Sequence, residues 1–252
     1  MTDPRLSLHA VGFLGADLDE YDAHWTALGL RRLSLVDTQL TDPGLAPLIA
    51  RRGYAVDTVF HLFSSAERLD RVVDAAAAIG TRCVYLLTGG RGTATWEEAA
   101  ERFCAAVAPC RARAADAGVA LAIENASALY ADIHVAHTLR DTETLADMAG
   151  LDVVVDLFHC WTEAGLMDTV ARILPRIRSI QLSDYVLGDR ALPARAVPGD
   201  GAVPIERFVR DVLDLGYRGG FDLELIGPRV DAEGSAAAAR RACATVSAML
   251  ER

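Results

Sequence analysis

An α/β chain folded as a single-domain (β/α)8 barrel is what three features of this sequence predict. Short apolar runs alternate with amphipathic stretches from end to end, the length is 252 residues, and an oxygen-bearing side chain closes each of the last four runs. The elements follow in order. Leu6 to Phe13 is the first candidate strand and Leu18 to Leu28 the first helix; Arg32 to Val36 then pairs in sequence with Gly44 to Arg52, and Ala55 to Leu62 with Ala66 to Ile79. Cys83 to Leu87 precedes the long stretch Trp96 to Ala117, Val119 to Glu124 precedes Thr142 to Met148, and Val153 to Asp156 precedes Glu163 to Leu174. Ser179 to Leu182 with Pro204 to Leu215, and Phe221 to Leu225 with Ala232 to Leu250, complete eight units across residues 1–252. Glycines after Ala117, Ala149 and Leu215 stand where a helix end turns back toward a strand. The same alternation would also suit an open doubly wound sheet.

Composition removes several function classes. The formal charge of −10 sets a repulsive field against nucleic acid. All 25 basic residues are arginine, and without a lysine amine neither Schiff-base chemistry, pyridoxal phosphate attachment nor a P-loop can be built. No apolar stretch approaches the roughly 20 residues of a membrane span, and the N-terminus lacks a secretory pattern. The 5 cysteines have no CxxC spacing, which fits reduced thiols and a cytoplasmic location.

Within this frame the second half of the chain carries the chemistry. Glu124, Asp156, Gln181 and Glu224 stand at or just inside the C-terminal ends of the last four candidate strands. In a barrel such ends converge on one mouth, so residues far apart in sequence can surround one ion. Three carboxylates and an amide carbonyl offer only oxygen, which favours a hard cation, Mn2+ or Mg2+, with Co2+ as a substitute. The two longest connections, Asn125 to Asp141 and Ser183 to Val203, follow two of these strands and would shape a pocket there.

Ile123-Glu124-Asn125, Asp156-Leu-Phe-His159, Ile180-Gln181-Leu-Ser-Asp184, the segment from Arg195 to Gly201, and Gly216-Tyr217 leading to Glu224 together resemble the sugar phosphate isomerase/epimerase family of xylose-isomerase-like TIM barrels. The resemblance covers roughly residues 80 to 230, and the first third only by its rhythm. It implies a metal-dependent isomerase or epimerase acting on a ketose, sugar or cyclic polyol ketone, with Glu124, Asp156, Gln181 and Glu224 as metal ligands. Glu124 and Glu224 would also exchange the proton next to the carbonyl, and His159 and Arg195 would contact substrate oxygens. Epimerases of this family mostly place histidine where Gln181 stands. Glutamine there is similar to the 3-dehydroshikimate dehydratases of the same barrel, so a lyase is the alternative. Family members are often dimers or tetramers.

Two other readings keep the fold. A sugar-binding barrel without catalysis would have no use for two proton-exchanging glutamates, and a DNA-repair enzyme of the endonuclease IV kind would need more histidines and a basic groove. The partner expected is therefore a small hydroxy-carbonyl substrate, with neither nucleic acid nor membrane. His9 and His61 close the first and third strands and are further substrate-binding candidates. His134 and His137 are expected at a solvated or pocket-edge position, Asp184 as a ligand-orienting group or a turn cap, and Asp222 facing outward. Arg190 is a weaker substrate candidate than Arg195. Thr88-Gly-Gly-Arg-Gly92 lacks the Walker lysine and reads as a tight loop, and Cys160 beside His159 is poorly placed for a nucleophile pair.

Overall fold

The computed structural model describes residues 2–190 and 192–251. Eight parallel strands close into a barrel: β1 (Leu6–His9), β2 (Arg32–Val36), β3 (Ala55–Leu62), β4 (Cys83–Leu87), β5 (Ala120–Glu124), β6 (Asp152–Asp156), β7 (Ile177–Leu182) and, after a two-stranded ribbon of β8 (Asp184–Tyr185) and β9 (Arg195–Ala196), β10 (Gly220–Leu223). Neighbours run in chain order, and β10 closes the ring against β1 through Leu6↔Phe221 and Leu8↔Leu223. The outer layer is α1 (Leu18–Ala27), α2 (Leu45–Arg52), α3 (Ala66–Ala78), α4 (Trp96–Asp116), α5 (Leu139–Ala149), the short α6 (Leu157–Cys160), α7 (Leu166–Ile173), α8 (Ile205–Asp214), α9 (Pro228–Glu233) and α10 (Ser235–Leu250). No helix among the described residues is long and apolar enough to cross a membrane.

Local chemistry sets these boundaries. Asp17 and Thr95 close capping boxes with Glu20 and Glu98 at the starts of α1 and α4, while Ser65 and Thr138 cap α3 and α5. Gly150 ends α5 at φ 63°, a left-handed turn that a side chain would strain. In α8 the buried positions Ile205, Phe208, Val209 and Val212 follow the helical i, i+3, i+4, i+7 period, so one stripe meets the sheet. The main core lies in this interlayer, where Leu33, Leu35, Val59, Leu86, Ile123 and Val155 are fully buried, each worth about 1.5–3 kcal/mol.

Several boundaries differ from the sequence reading, among them three at the ends of the chain and beside the mouth. Ala10–Phe13 is a 3-10 turn and no part of β1, because the His9 ring accepts from the Val11 amide and bends the chain inward. Helix α5 starts at Leu139, since the Thr138 hydroxyl takes the Asp141 amide before Thr142 is reached. The last helical stretch is broken at Gly234 into α9 and α10.

Inside the barrel a separate small cluster of Cys83, Tyr85, Ala122 and Val154 fills the β4–β6 side. The opposite side is polar: the Ser7 hydroxyl donates to Asp222 at 2.6 Å, and the Ser34 and Thr58 hydroxyls bond each other at 2.7 Å. Asp222 therefore faces inward, correcting the outward expectation. Strand side chains alternate with a period of two, which puts residues 222 and 224 on one face.

Candidate active site

Glu124 ends β5, Asp156 ends β6, Gln181 lies in β7, and Glu224 follows β10 directly. All four expected ligands reach the C-terminal mouth, where a cavity of about 360 Å³ opens. Its polar wall includes Glu124, Glu224, Arg195, His9, His159 and Tyr85, whereas Asp156 and Gln181 sit beneath, 0% and 1% exposed.

Arg195 ties this group together. Its guanidinium donates to Asp156 at 2.6 Å and to the Ser183 hydroxyl at 3.0 Å and forms an ion pair with Glu224 at 2.9 Å, while lying 4.7 Å over the Phe158 ring. The ribbon β8–β9 delivers it. Asp184 accepts backbone N–H bonds from Gly199 and Gly201 on Oδ2, and from Tyr185 and Val203 on Oδ1, so it fastens the loop that carries Arg195. That is a turn-fixing role and no direct contact with a ligand.

Gln181 donates through Nε2 to Glu224 at 2.8 Å and to the Tyr85 hydroxyl at 3.1 Å, and Tyr85 is in turn 2.7 Å from His9 Nε2. Asn125 clamps the ends of β5 and β6 together, accepting from the Asp156 amide and donating to its carbonyl, each at 2.9 Å. Tyr85, Asn125 and Ser183 are site residues that sequence reading missed. Asn125, beside Glu124, and Ser183, between Gln181 and Asp184, lay within the resembling motifs, whereas Tyr85 left no signal.

Other expected residues separate. His159 lies 3.5 Å from Asp156 and 3.3 Å from Arg195, inside the site. His61 does not line the cavity: it follows the inward Phe60, and its ring bonds Asp37 at 2.6 Å on the other face of β3. His134 is fully buried and accepts from the Thr88 amide at 3.1 Å, which corrects the solvated or pocket-edge expectation and ties two mouth loops together. His137 meets the Ala126 carbonyl. Cys160 is buried against the Asp156 carbonyl, and burial pushes its thiol well up, so it is no nucleophile.

Charge is what this site leaves unbalanced. Two buried carboxylates, Glu124 and Asp156, and the partly exposed Glu224 face one guanidinium. Burial and then the Glu224 and Asp156 charges push Glu124 well above the carboxylate range, and burial pushes Glu224 up to about 7 against the pull of Arg195. Burial works to raise Asp156 as well, yet Arg195 and His159 outweigh it and hold that carboxyl low. Burial lowers His159 to about 4 and His9 to about 3, leaving both rings neutral at physiological pH.

A divalent cation fits these residues. Among the described residues no hydrogen bond or ion pair engages the Glu124 carboxylate, and Gln181 Oε1 is buried without a partner. Ligating atoms of Glu124, Asp156 and His159 lie within 4.8 Å of one another, a converging set that includes a nitrogen donor and leaves the expected ligand Glu224 outside it.

No curated protein sequence matches the chain. Among solved structures, it is similar to the IolI protein with a bound zinc atom (14% identity, 100% of this chain and 98% of that one, TM-score 0.80). It is also similar to D-psicose 3-epimerase with D-tagatose from Clostridium cellulolyticum H10 (15% identity, 100% and 99%, TM-score 0.77). A third is the probable 3-DHS dehydratase AsbF from Bacillus anthracis (12% identity, 96% and 98%, TM-score 0.76). The model of the xylose isomerase-like TIM barrel family matches residues 31–246, and with the closed barrel and its carboxylate-lined mouth this chain belongs to that family.

Proposed function

We propose that the protein is a divalent-metal-dependent isomerase or epimerase of an α-hydroxy-carbonyl compound, the class that includes ketoses and cyclic polyol ketones. One observation carries this reading: Glu124 and Glu224, three strands apart around the ring of eight, face one cavity, with burial raising Glu124 well above the carboxylate range and Glu224 to about 7. Such a pair can take a proton from one face of a carbon and return one to the other.

Glu124, Asp156, Gln181 and Glu224 would hold the ion, with His159 adjacent. The cation supplies Lewis-acid stabilisation of negative charge developing on substrate oxygen, worth several kcal/mol. One glutamate accepts the proton α to the carbonyl, and the C–H electron pair moves onto the carbonyl oxygen as an enediolate. The opposite glutamate then donates its own proton to the other face, and the carbonyl re-forms as an epimer; return at the neighbouring carbon gives an aldose. His159, neutral, is positioned to hydrogen-bond substrate oxygens, beside His9, whose two ring nitrogens are taken by the Val11 amide and the Tyr85 hydroxyl, and Arg195, held by Asp156, Glu224 and Ser183.

Gln181 favours a second reading, a dehydratase, in which the same proton abstraction ends in loss of a β-hydroxyl as water. Incubation of Mn2+-loaded protein with a ketose and cyclic ketone panel in D2O decides. Solvent deuterium at the α-carbon supports the isomerase, a conjugated product absorbing in the ultraviolet from 3-dehydroshikimate supports the lyase, and neither result across the panel overturns both.

A further inference from the structure

Apart from the Tyr130 hydroxyl, the cavity above the glutamates is polar only among the residues at its floor. Leu14, Phe60, Leu87, Ile133, Pro193 and Ile226 make up much of the remaining wall. None of these side chains can donate to or accept from a hydroxyl. The apolar lining also runs out to solvent: Leu14 is 64% exposed, and Leu129 and Leu187, on loops of the same mouth, are each 70% exposed. At about 360 Å³ the space is near the lower end for a small-molecule site, so substrate and wall must touch.

Charge narrows the choice further. Arg195 is the one cationic side chain among the described lining residues, and its terminal nitrogens are committed to Asp156, Glu224 and Ser183. Its charge thus faces the site's own acids, and no second cationic side chain lines the cavity to receive a phosphate or carboxylate of the substrate. Arg229, in α9, is paired with Asp189 and does not line the cavity.

We infer that the substrate is an uncharged α-hydroxy ketone whose reacting end meets Glu124 and Glu224 and whose remaining body is hydrocarbon, ring or alkyl, against the Leu87, Ile133 and Ile226 wall. This rests on the proposed function and selects within its substrate class. A polyol would bury hydroxyls against that wall without partners, losing about tenfold in affinity for each. An anionic group would lose more.

Three compounds on one six-membered ring test it: 2-hydroxycyclohexanone, an inosose bearing hydroxyls around the ring, and 3-dehydroshikimate with its carboxylate. Calorimetric titration into Mn2+-loaded protein is expected to give 2-hydroxycyclohexanone a dissociation constant at least tenfold below the other two. Ile226→Thr and, separately, Ile133→Asn should narrow that ratio. Equal or reversed affinities, no binding by any of the three, or a ratio untouched by both folded variants would overturn the inference. Deuterium exchange on the same samples reads the chemistry independently. Tight apolar binding without exchange sustains the inference and sinks the proposed reaction, whereas exchange with a polyol preference does the reverse.

Discussion

Replacing Arg195 by methionine keeps the volume of a buried side chain and removes the cation on which Asp156 and Glu224 rest. The guanidinium side chain is 5% exposed and bonds those carboxylates at 2.6 and 2.9 Å, so its loss leaves a buried acidic cluster without a counter-charge. Breaking a buried pair from one side costs about 3–5 kcal/mol. An unfolding entropy of roughly 2.1 cal/mol/K per residue gives about 0.5 kcal/mol/K for a chain of 252 residues, which converts that cost to a fall in melting temperature of about 6–9 °C. The expected result is therefore a chelator-treated Arg195→Met protein melting that far below chelator-treated wild type at pH 8. At pH 5 the deficit should shrink, because Glu224, raised to about 7, then carries a proton and needs no partner. Added Mn2+ should raise the variant's melting temperature more than the wild type's, since the ion no longer shares its carboxylates with a guanidinium. Differential scanning calorimetry with and without Mn2+ measures all three quantities. A variant as stable as wild type at pH 8 without metal, or equal Mn2+ shifts, would refute the charge argument.

Further predictions come from single groups. Glu124→Gln and Glu224→Gln each remove one proton carrier and should cut α-carbon deuterium exchange by about 10²- to 10⁴-fold, followed by NMR; a loss below threefold in either would remove that residue from the chemistry. Asp222 is raised by burial from 3.8 to about 7, so its proton-linked stability is fully present below 3.8 and lost as pH rises through 7. Relative to Asp222→Asn, metal-free wild type should thus lose about 4 kcal/mol across that window in urea unfolding, and a pH-independent difference would contradict the inward, unpaired placement. A Cβ on Gly90 would stand 2.2 Å from the Asp132 carbonyl oxygen. Gly90→Ala should accordingly cost about 1–3 kcal/mol and raise KM by displacing the loop that carries Tyr130 and Ile133, and unchanged steady-state kinetics would count against that loop as pocket wall.

The barrel and its quartet of mouth residues were legible because both depend on local pattern. β-Branched runs of five or six residues cannot be amphipathic helices, and the residue that ends such a run is delivered to the mouth by the strand itself. What escaped depends on contacts between distant segments. Tyr85 reads as one more aromatic residue of an apolar run, yet it meets Gln181 across 96 positions. Ser183 matters only because the ribbon brings Arg195 to it. His61 and Asp222 failed for another reason: a shift of one residue in where a strand faces inward exchanges pocket for helix layer, and polarity alone did not fix that parity. His134 was mistaken for a solvated residue because its partner, the Thr88 amide, is 46 positions away.

The two faces of the barrel interior bear on how the glutamates divide their work. Glu124 rises from the β4–β6 side, above Tyr85, Ala122 and Val154, where little stabilises an ionised carboxylate. Glu224 rises from the polar side, accepting from Gln181 and paired with Arg195. Burial raises both, but only Glu224 has a guanidinium and an amide in contact to support its charge. The pair therefore shares its first proton unequally, with Glu124 the firmer holder and Glu224 the readier acceptor. A divalent cation held by both would lower the two together. Under the proposed reaction, the substrate epimer taken faster would be the one whose α-hydrogen faces β10, with the returning proton delivered from the β5 side.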